Sequence, residues 1–348
     1  MSVFKSQKSL YGVGITIIFV VIILALFVVY VDLSDVAWQL NQADWHHLVI
    51  ASGLLVAGLI MFAIRWQLLL NNKPPWRFTF HSANIGHMFN LFLPLRSGEA
   101  VRIVVLSKGS ALRVAEVTSS VIVEKLFEQI MRLIALGGAI LLGLGLEVST
   151  WTVFGAIVIL FIAFGFLYWI VNHQQIVLDR WPIIFAHIPR LSEERASKFL
   201  KDTLDGFSSI SSLGNFLVLF GISIITWLFF WIFHYQTLLA LNLDLPLRQS
   251  LAISLGALAI VPPSASTIPG FYHASVVVPL VAIGFGETML TAYGILLYTM
   301  QVVWMTLFGL YGLMQVKVSF VGLIRRAIGS FKEGGGDLRR DRLPSNMN

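Results

Sequence analysis

The residues of this sequence best suited to chemistry form a charged group within an apolar segment. Glu124, Glu128 and Arg132 are spaced four residues apart, so they lie on one face of a helix. Lys125 lies off that face but is within three residues of Glu128. Ionisable side chains inside a membrane cost about 2.5–3.5 kcal/mol each on insertion scales, so they persist by pairing or because a substrate or ion path needs them. We predict that this helix lines such a path; the alternative is a self-neutralising structural network that includes a Glu128–Arg132 pair.

A second group of polar residues lies in a mostly apolar segment, residues 81–106, that is interrupted by a proline and a glycine. The interruption predicts two half-helices that enter and leave a membrane on the same side. Free N–H groups at the start of the second half-helix can hold an anion, and Arg96 and Arg102 can add bidentate phosphate contacts. In the alternative interpretation the polar residues cap the break and anchor it, and Arg102 pairs with Glu99. The candidate path residues of this segment are Asn90, Arg96, Glu99 and Arg102.

A third feature is another interrupted apolar segment, residues 251–283, which contains Pro262-Pro263 and Pro269-Gly270. It is predicted to form a second pair of half-helices, which need shelter in a helix bundle because lipid cannot satisfy their free backbone groups. His273 follows the second interruption and is the path candidate of this segment, with a structural role as the alternative.

The rest of the sequence offers no motif for catalysis. It contains no Walker A, G-x-S-x-G, H-E-x-x-H or Rossmann pattern in a supporting context. The absence of cysteine excludes disulfides, thiolate metal ligands and a thiol nucleophile. We therefore expect no catalytic residue, no metal and no cofactor. Of the remaining polar residues in apolar segments, Gln301 is expected to make an interhelical hydrogen bond and His234 to serve in packing.

The elements that carry these residues are membrane helices. Hydrophobic residues make up 57% of the 348 and charged residues 12%, whereas a soluble domain carries about 25% charged residues. The sequence predicts an all-α, polytopic membrane protein with about six transmembrane helices plus two re-entrant broken-helix hairpins. The six uninterrupted spans are predicted at residues 12–31, 48–64, 116–146, 150–171, 215–241 and 288–314.

The distribution of charge predicts the orientation of these spans. We assume that the N-terminus is in the cytoplasm and that both hairpins are re-entrant. The chain has 24 Lys and Arg residues, and under this assumption all of them except Lys125, Arg132 and Arg248 lie on the cytoplasmic side of the membrane. Both termini are therefore expected in the cytoplasm, and the protein in a bacterial inner membrane. The net charge of +6 comes from these short loops, so we expect no nucleic-acid partner.

The order of the segments predicts an inverted repeat. Each half, about 12–146 and 150–314, has two spans, a broken segment and a final span, and the two broken segments face opposite sides of the membrane. We assign residues 1–325 to one integral membrane domain, with residues 12–31 as a retained signal anchor. Residues 326–348 are predicted to be a disordered cytoplasmic tail.

Several motifs of the first half resemble the flippase-like family of the transmembrane region of lysylphosphatidylglycerol synthase. They are Arg65-Trp66…Leu69-Leu70, Asn90-x-x-x-Pro94-x-x-x-Gly98-Glu99-x-x-Arg102 and Ser119-Ser120…Glu124-Lys125-x-x-Glu128. The resemblance implies movement of a lipid headgroup or a lipid-linked glycan between leaflets. The chain departs from the family pattern after Pro269-Gly270, where the later glycine and acid are missing, and Lys125 and Glu128 replace a common Arg and Asp. No soluble transferring domain follows the last span, so we do not expect the chain to make lysylphosphatidylglycerol.

These features together lead to the hypothesis of a lipid translocase whose partner is a membrane phospholipid or a lipid-linked substrate. Glu124, Glu128 and Arg132 would line the path, and Arg96 and Arg102 would recruit a phosphate at its inner mouth. One alternative is an intramembrane lipid-modifying enzyme that uses a carboxylate as a general base. Another is a non-transporting subunit that binds a lipid-synthesis protein.

Overall fold

The computed structural model describes residues 41–92, 97–143, 212–263 and 287–316, together with single residues and pairs between 38 and 284. The predicted signal anchor, most of the predicted span 150–171 and the predicted tail lie outside the described residues, as do Arg96 and His273.

All regular structure in the described ranges is helical, which confirms the all-α prediction. The helices are α1 (Trp45–Leu69), α2 (Trp76–Phe92), α3 (Gly98–Gly109), α4 (Val114–Leu141), α5 (Leu213–Leu239), α6 (Leu247–Ile260) and α7 (Glu287–Val316). Three of them, α1, α5 and residues Leu290–Val316 of α7, are long and apolar enough to cross a membrane. Helix α4 has 28 residues and carries the charged residues singled out in the sequence.

Helix α1 is longer than its sequence predicted. The apolar segment stops at the first charged residue, Arg65, yet the helix continues to Leu69 and the Arg65 side chain is buried. The prediction that Arg65 lies in an inner loop is therefore wrong. An arginine can stay in a buried helix when a carboxylate from another helix neutralises it, and a partner from α4 is present here.

The first broken segment is divided into two helices as predicted, with α2 and α3 on either side of residues 93–97, and its re-entrant course in the membrane stays a prediction. The side chain of Asn90 near the end of α2 accepts a hydrogen bond from the backbone N–H of Gly98 at the start of α3, at 2.9 Å. A side chain at position 98 would overlap the Asn90 amide and the backbone of Gly86, so only glycine allows the two half-helices to lie this close.

The core of the bundle is the antiparallel pair of α1 and α5, which pack along their whole length. At one end, the backbone N–H of Asp44 donates to the carbonyl of Ala240 at 2.9 Å. Near the middle, the Phe230 ring packs on Gly58, where a side chain would collide with it. At the other end, Leu68 and Leu219 line one small cavity.

The remaining helices pack across the two halves of the chain. Helix α2 of the first half packs on α7, and α6 of the second half packs on α4. Met88 on α2 lies against Gly309 on α7, and Leu255 on α6 lies near Gly138 on α4. Exchange of the two halves leaves this pattern unchanged, as expected for an inverted repeat around the α1–α5 pair.

The outward faces of the long helices are apolar. Leu217 on α5, Ile134 on α4 and Leu307 on α7 each expose more than half of their surface, while the polar side chains of Ser119, Ser120, Glu124 and Glu128 on α4 are buried. A soluble protein has the opposite distribution, so these faces are suited to contact with lipid.

Candidate functional site: a buried ionic cluster

Six ionisable side chains meet where α1, α3 and α4 pack together. Three are cations and three are carboxylates, so their formal charges cancel. We name this group the ionic cluster; its members are Arg65, Glu99, Arg102, Glu124, Lys125 and Glu128.

The bidentate contact of the ionic cluster joins Arg102 on α3 to Glu124 on α4. Two guanidinium nitrogens of Arg102 donate to the two carboxylate oxygens, at 3.0 and 2.6 Å. Arg102 is 3% exposed and Glu124 0%. The guanidinium also lies over the Trp66 ring, 4.7 Å from its centroid. A bidentate, charge-assisted pair stacked on an aromatic ring is among the strongest polar contacts in proteins.

Glu128 connects the other two cations of the cluster. Its carboxylate lies 3.5 Å from Nη2 of Arg65 on α1 and 2.9 Å from Nζ of Lys125 on its own helix. Lys125 also contacts Glu99 on α3 at 2.7 Å. Lys125 and Glu99 are each about a quarter exposed, so the cluster reaches the surface of the bundle at this point.

Arg65 is less completely satisfied than the other cations. Its Nε and Nη1 atoms are buried and have no hydrogen-bond partner among the described residues. Its guanidinium lies 5.1 Å from the centroid of the Phe62 ring, and the buried ring of His87 packs on the same phenyl group at 4.6 Å. A buried donor without an acceptor costs about 1–3 kcal/mol, and more when it is charged. The site therefore suits an acceptor such as a phosphate oxygen or water.

The ionic cluster lies toward one end of the bundle. Arg65 is four residues before the end of α1, about 6 Å at the helical rise. Beyond that end, a cavity of about 180 Å³ is lined by Asn71, Asn72 and Asn215, among other residues. The exposed Lys73 of the α1–α2 loop pairs with Glu116 near the start of α4. On α1 the cluster is thus close to a polar rim, whereas on α4 Glu128 lies at the middle of the helix.

The structure brings together five of the residues that the sequence singled out: Glu99, Arg102, Glu124, Lys125 and Glu128. Asn90 lies beside them and holds the break closed. Arg132 is half-buried on α4, one turn beyond Glu128. The positions of Arg96 and His273 are outside the described residues.

The pairing within this group differs from the two pairs considered in the sequence. Glu128 contacts Lys125, which the sequence placed within three residues of it, and also Arg65, which the sequence did not suggest as a partner. Arg102 pairs with Glu124, where the sequence suggested Glu99. Both terminal nitrogens of Arg102 are occupied, so phosphate binding by Arg102 at an inner mouth would require this pair to open. Spacing along one helix suggests local pairs, whereas Arg65 and Arg102 reach carboxylates on the facing helix α4.

Two members of the site were missed as site residues by reasoning from the sequence. Arg65 was counted among the loop cations, although its position directly after a long apolar run was a usable signal. Trp66 supports the cluster because its indole N–H donates to Ser120 on α4 at 3.1 Å while its ring lies under Arg102.

Comparison with known proteins assigns the chain to a family. No curated protein and no solved structure matches the chain. The model of the family described as the lysylphosphatidylglycerol synthase TM region matches residues 12–309, which is most of the chain. The long apolar helices and this match identify a membrane protein with a lipid-related role. The chain belongs to the family of the lysylphosphatidylglycerol synthase TM region.

Proposed function

We propose that this protein is a lipid translocase of the bacterial inner membrane, with both termini in the cytoplasm. In this proposal the headgroup of a phospholipid or a lipid-linked glycan passes through the bundle while its acyl chains stay in the surrounding lipid. The protein changes the leaflet of the lipid and not its covalent structure. Membership of the family supports a lipid-related role, and the ionic cluster supports a path for a polar group.

The observation that carries the proposal is the incompletely satisfied Arg65 within a charge-balanced cluster. Two of its guanidinium nitrogens are buried without an acceptor in the described structure. A phosphate oxygen can accept from such nitrogens, often in bidentate geometry. A purely structural network would place an acceptor there, since an unpaired buried donor destabilises the fold.

The connectivity of the cluster suggests how a phosphate enters and leaves. Lys125 and Glu99 lie at the surface of the bundle, so Lys125 is the first cation that a headgroup meets. When the phosphate reaches Arg65, Glu128 keeps its contact with Lys125, so no carboxylate is left alone. The Arg102–Glu124 pair stays closed and fixes α3 on α4. We propose a lipid gradient or a proton gradient as the driving force, with Glu128 as the proton-carrying group in the second case.

The proposal can be tested in liposomes that contain the purified protein. Fluorescent phospholipids in the inner leaflet become accessible to a membrane-impermeant quencher only after they change leaflets. We expect wild-type protein to accelerate this exchange and Glu128→Gln to reduce the accelerated rate at least tenfold. Glu116→Gln is the matched control, because it removes a carboxylate from the same helix whose partner, Lys73, is about half exposed and outside the ionic cluster.

Three results would contradict the proposal. Equal rates for wild type and Glu128→Gln, with both proteins folded, would exclude a path through the ionic cluster. Absence of exchange with wild type for every lipid tested would exclude a translocase. A new lipid species in the vesicles, detected by mass spectrometry, would instead identify an intramembrane enzyme.

A further inference from the structure

The second half of the bundle contains another buried polar group, which is uncharged. Gln301 on α7 donates from Nε2 to the hydroxyl of Tyr272 at 2.9 Å. The rings of Tyr272 and Tyr298 are 5.1 Å apart, and the Tyr293 hydroxyl donates to the backbone carbonyl of His234 at 3.0 Å. We name these residues the neutral cluster. All five are at most 2% exposed.

The neutral cluster lies at the other end of the α1–α5 pair. Gln236 on α5 contacts His47 on α1 at 2.6 Å, and Phe230 packs on Gly58, so His234 lies level with the part of α1 between these residues. Arg65 is 7 residues beyond Gly58 and 18 beyond His47. At ~1.5 Å per residue the two clusters are therefore roughly 10–27 Å apart along the bundle. That separation fits within a hydrocarbon layer of about 30 Å.

The two clusters also occupy equivalent places in the inverted halves. Glu128 lies 14 residues after the start of α4, and Gln301 lies 14 residues after the start of α7. Arg65 is near the end of α1, and His234 is near the end of α5. Each cluster includes a residue from its half's interrupted segment, Arg102 in the first and Tyr272 in the second. A route built from two inverted halves passes both places.

His234 shows that the neutral cluster is not fully satisfied. Its Nδ1 lies 2.7 Å from the carbonyl of Phe230, so Nδ1 carries the hydrogen and Nε2 is an acceptor. In the described part of the chain Nε2 has no hydrogen-bond donor, and the residue is 0% exposed. A hydroxyl group is the uncharged donor that suits such an acceptor. The cluster contains no lysine, arginine or carboxylate with which to hold a phosphate.

We propose that the neutral cluster is the second contact point on the translocation path and that it binds the hydroxyl groups of a glycerol or sugar headgroup. This inference rests on the proposed translocase function. The phosphate interacts with the ionic cluster at one end of the bundle, while the headgroup hydroxyls interact with His234 Nε2 and the Tyr272–Gln301 pair at the other. The path therefore recognises a hydroxyl-bearing phospholipid by two chemically different clusters.

The first test asks whether the neutral cluster meets water, independently of any lipid. The chain has no cysteine, so a single introduced cysteine is the only thiol. We expect His234→Cys and Gln301→Cys to react with a small charged thiosulfonate reagent at least tenfold faster than Phe230→Cys. Phe230 is the matched control because it lies one turn from His234 on α5, is equally buried, and packs at the α1–α5 contact. Equal, slow reaction of all three would overturn the inference and leave the cluster as core packing.

The second test measures headgroup selectivity with Tyr272→Phe, which removes only a hydroxyl. In liposomes, exchange of fluorescent phosphatidylglycerol should slow about fivefold, the effect of one hydrogen bond of ~1 kcal/mol. Exchange of phosphatidylcholine, whose headgroup has no hydrogen-bond donor, should be unchanged. Equal slowing of both lipids, or no slowing of either, would overturn the inference while the Glu128→Gln result still supports a translocase. Exchange of neither lipid by wild type would overturn this inference, and absence of exchange for every lipid tested, lipid-linked glycans included, would overturn the translocase proposal as well.

Discussion

The Arg102–Glu124 pair allows a quantitative test of how the ionic cluster holds the bundle together. The change Glu124→Gln keeps the shape of the side chain but leaves the buried Arg102 guanidinium without the carboxylate that it pairs with. Removal of one partner from a buried pair costs about 3–5 kcal/mol. This cost is not lowered by solvent screening, because Arg102 and Glu124 are only 3% and 0% exposed. We expect the free energy of unfolding to fall by about that amount.

The pair Lys73–Glu116 is the matched comparison, since Glu116 lies on the same helix but Lys73 is about half exposed. Exposed pairs contribute about 0–1 kcal/mol, so Glu116→Gln should have a small effect. Unfolding in detergent micelles with increasing dodecyl sulfate, followed by circular dichroism, gives both free energies. The double change Glu124→Gln with Arg102→Met should cost less than the two single changes added together. Additive costs, or a cost below about 1 kcal/mol for Glu124→Gln, would refute a strongly coupled buried pair.

Two further predictions concern residues that hold the site in place. Gly98→Ala should prevent the close approach of α2 and α3, because the added methyl group overlaps the Asn90 amide. We expect the loss of monodisperse protein in size-exclusion chromatography. The control Gly137→Ala, whose added methyl group meets no neighbour within 4 Å, should behave as wild type. Trp66→Phe removes the hydrogen bond to Ser120 but keeps an aromatic ring under Arg102. The free energy of unfolding should therefore fall by about 1 kcal/mol in the same dodecyl sulfate titration. A loss above about 4 kcal/mol would show that packing of the indole ring contributes more to stability than its hydrogen bond.

The helices and the first break could be predicted because their signals are local. Apolar runs of sufficient length predicted α1, α4, α5 and α7 to within a few residues at most ends, and the proline and glycine near residues 94–98 predicted the division of α2 from α3. The interhelical hydrogen bond expected for Gln301 is confirmed by its contact with Tyr272. The orientation in the membrane and the division into a domain and a tail stay predictions.

The partners of Arg65 and Arg102 within the ionic cluster could not be predicted, because they are distant in sequence. Arg65 and Glu128 are separated by 63 residues, and Arg102 and Glu124 by 22. Spacing along one helix identifies which residues share a face, but not which helix that face meets. The neutral cluster was harder still to recognise. Tyrosine, glutamine and histidine lower the hydropathy of an apolar segment only slightly, so a hydropathy profile does not distinguish them from residues that serve in packing.

The packing of α2 on α7 and of α6 on α4 has a consequence for biogenesis. Helix α2 leaves the ribosome long before α7, so the face of α2 that packs on α7 has no partner while roughly two hundred further residues are synthesised. Contacts between residues so distant in sequence carry a loop-closure entropy cost, so we expect the packing of α2 on α7 to form late in folding. The first half therefore cannot complete its own structure during synthesis, and insertion and assembly become separate stages. A chain truncated before Glu287 should enter the membrane but remain a target for quality-control proteolysis, and a separately expressed second half should rescue it.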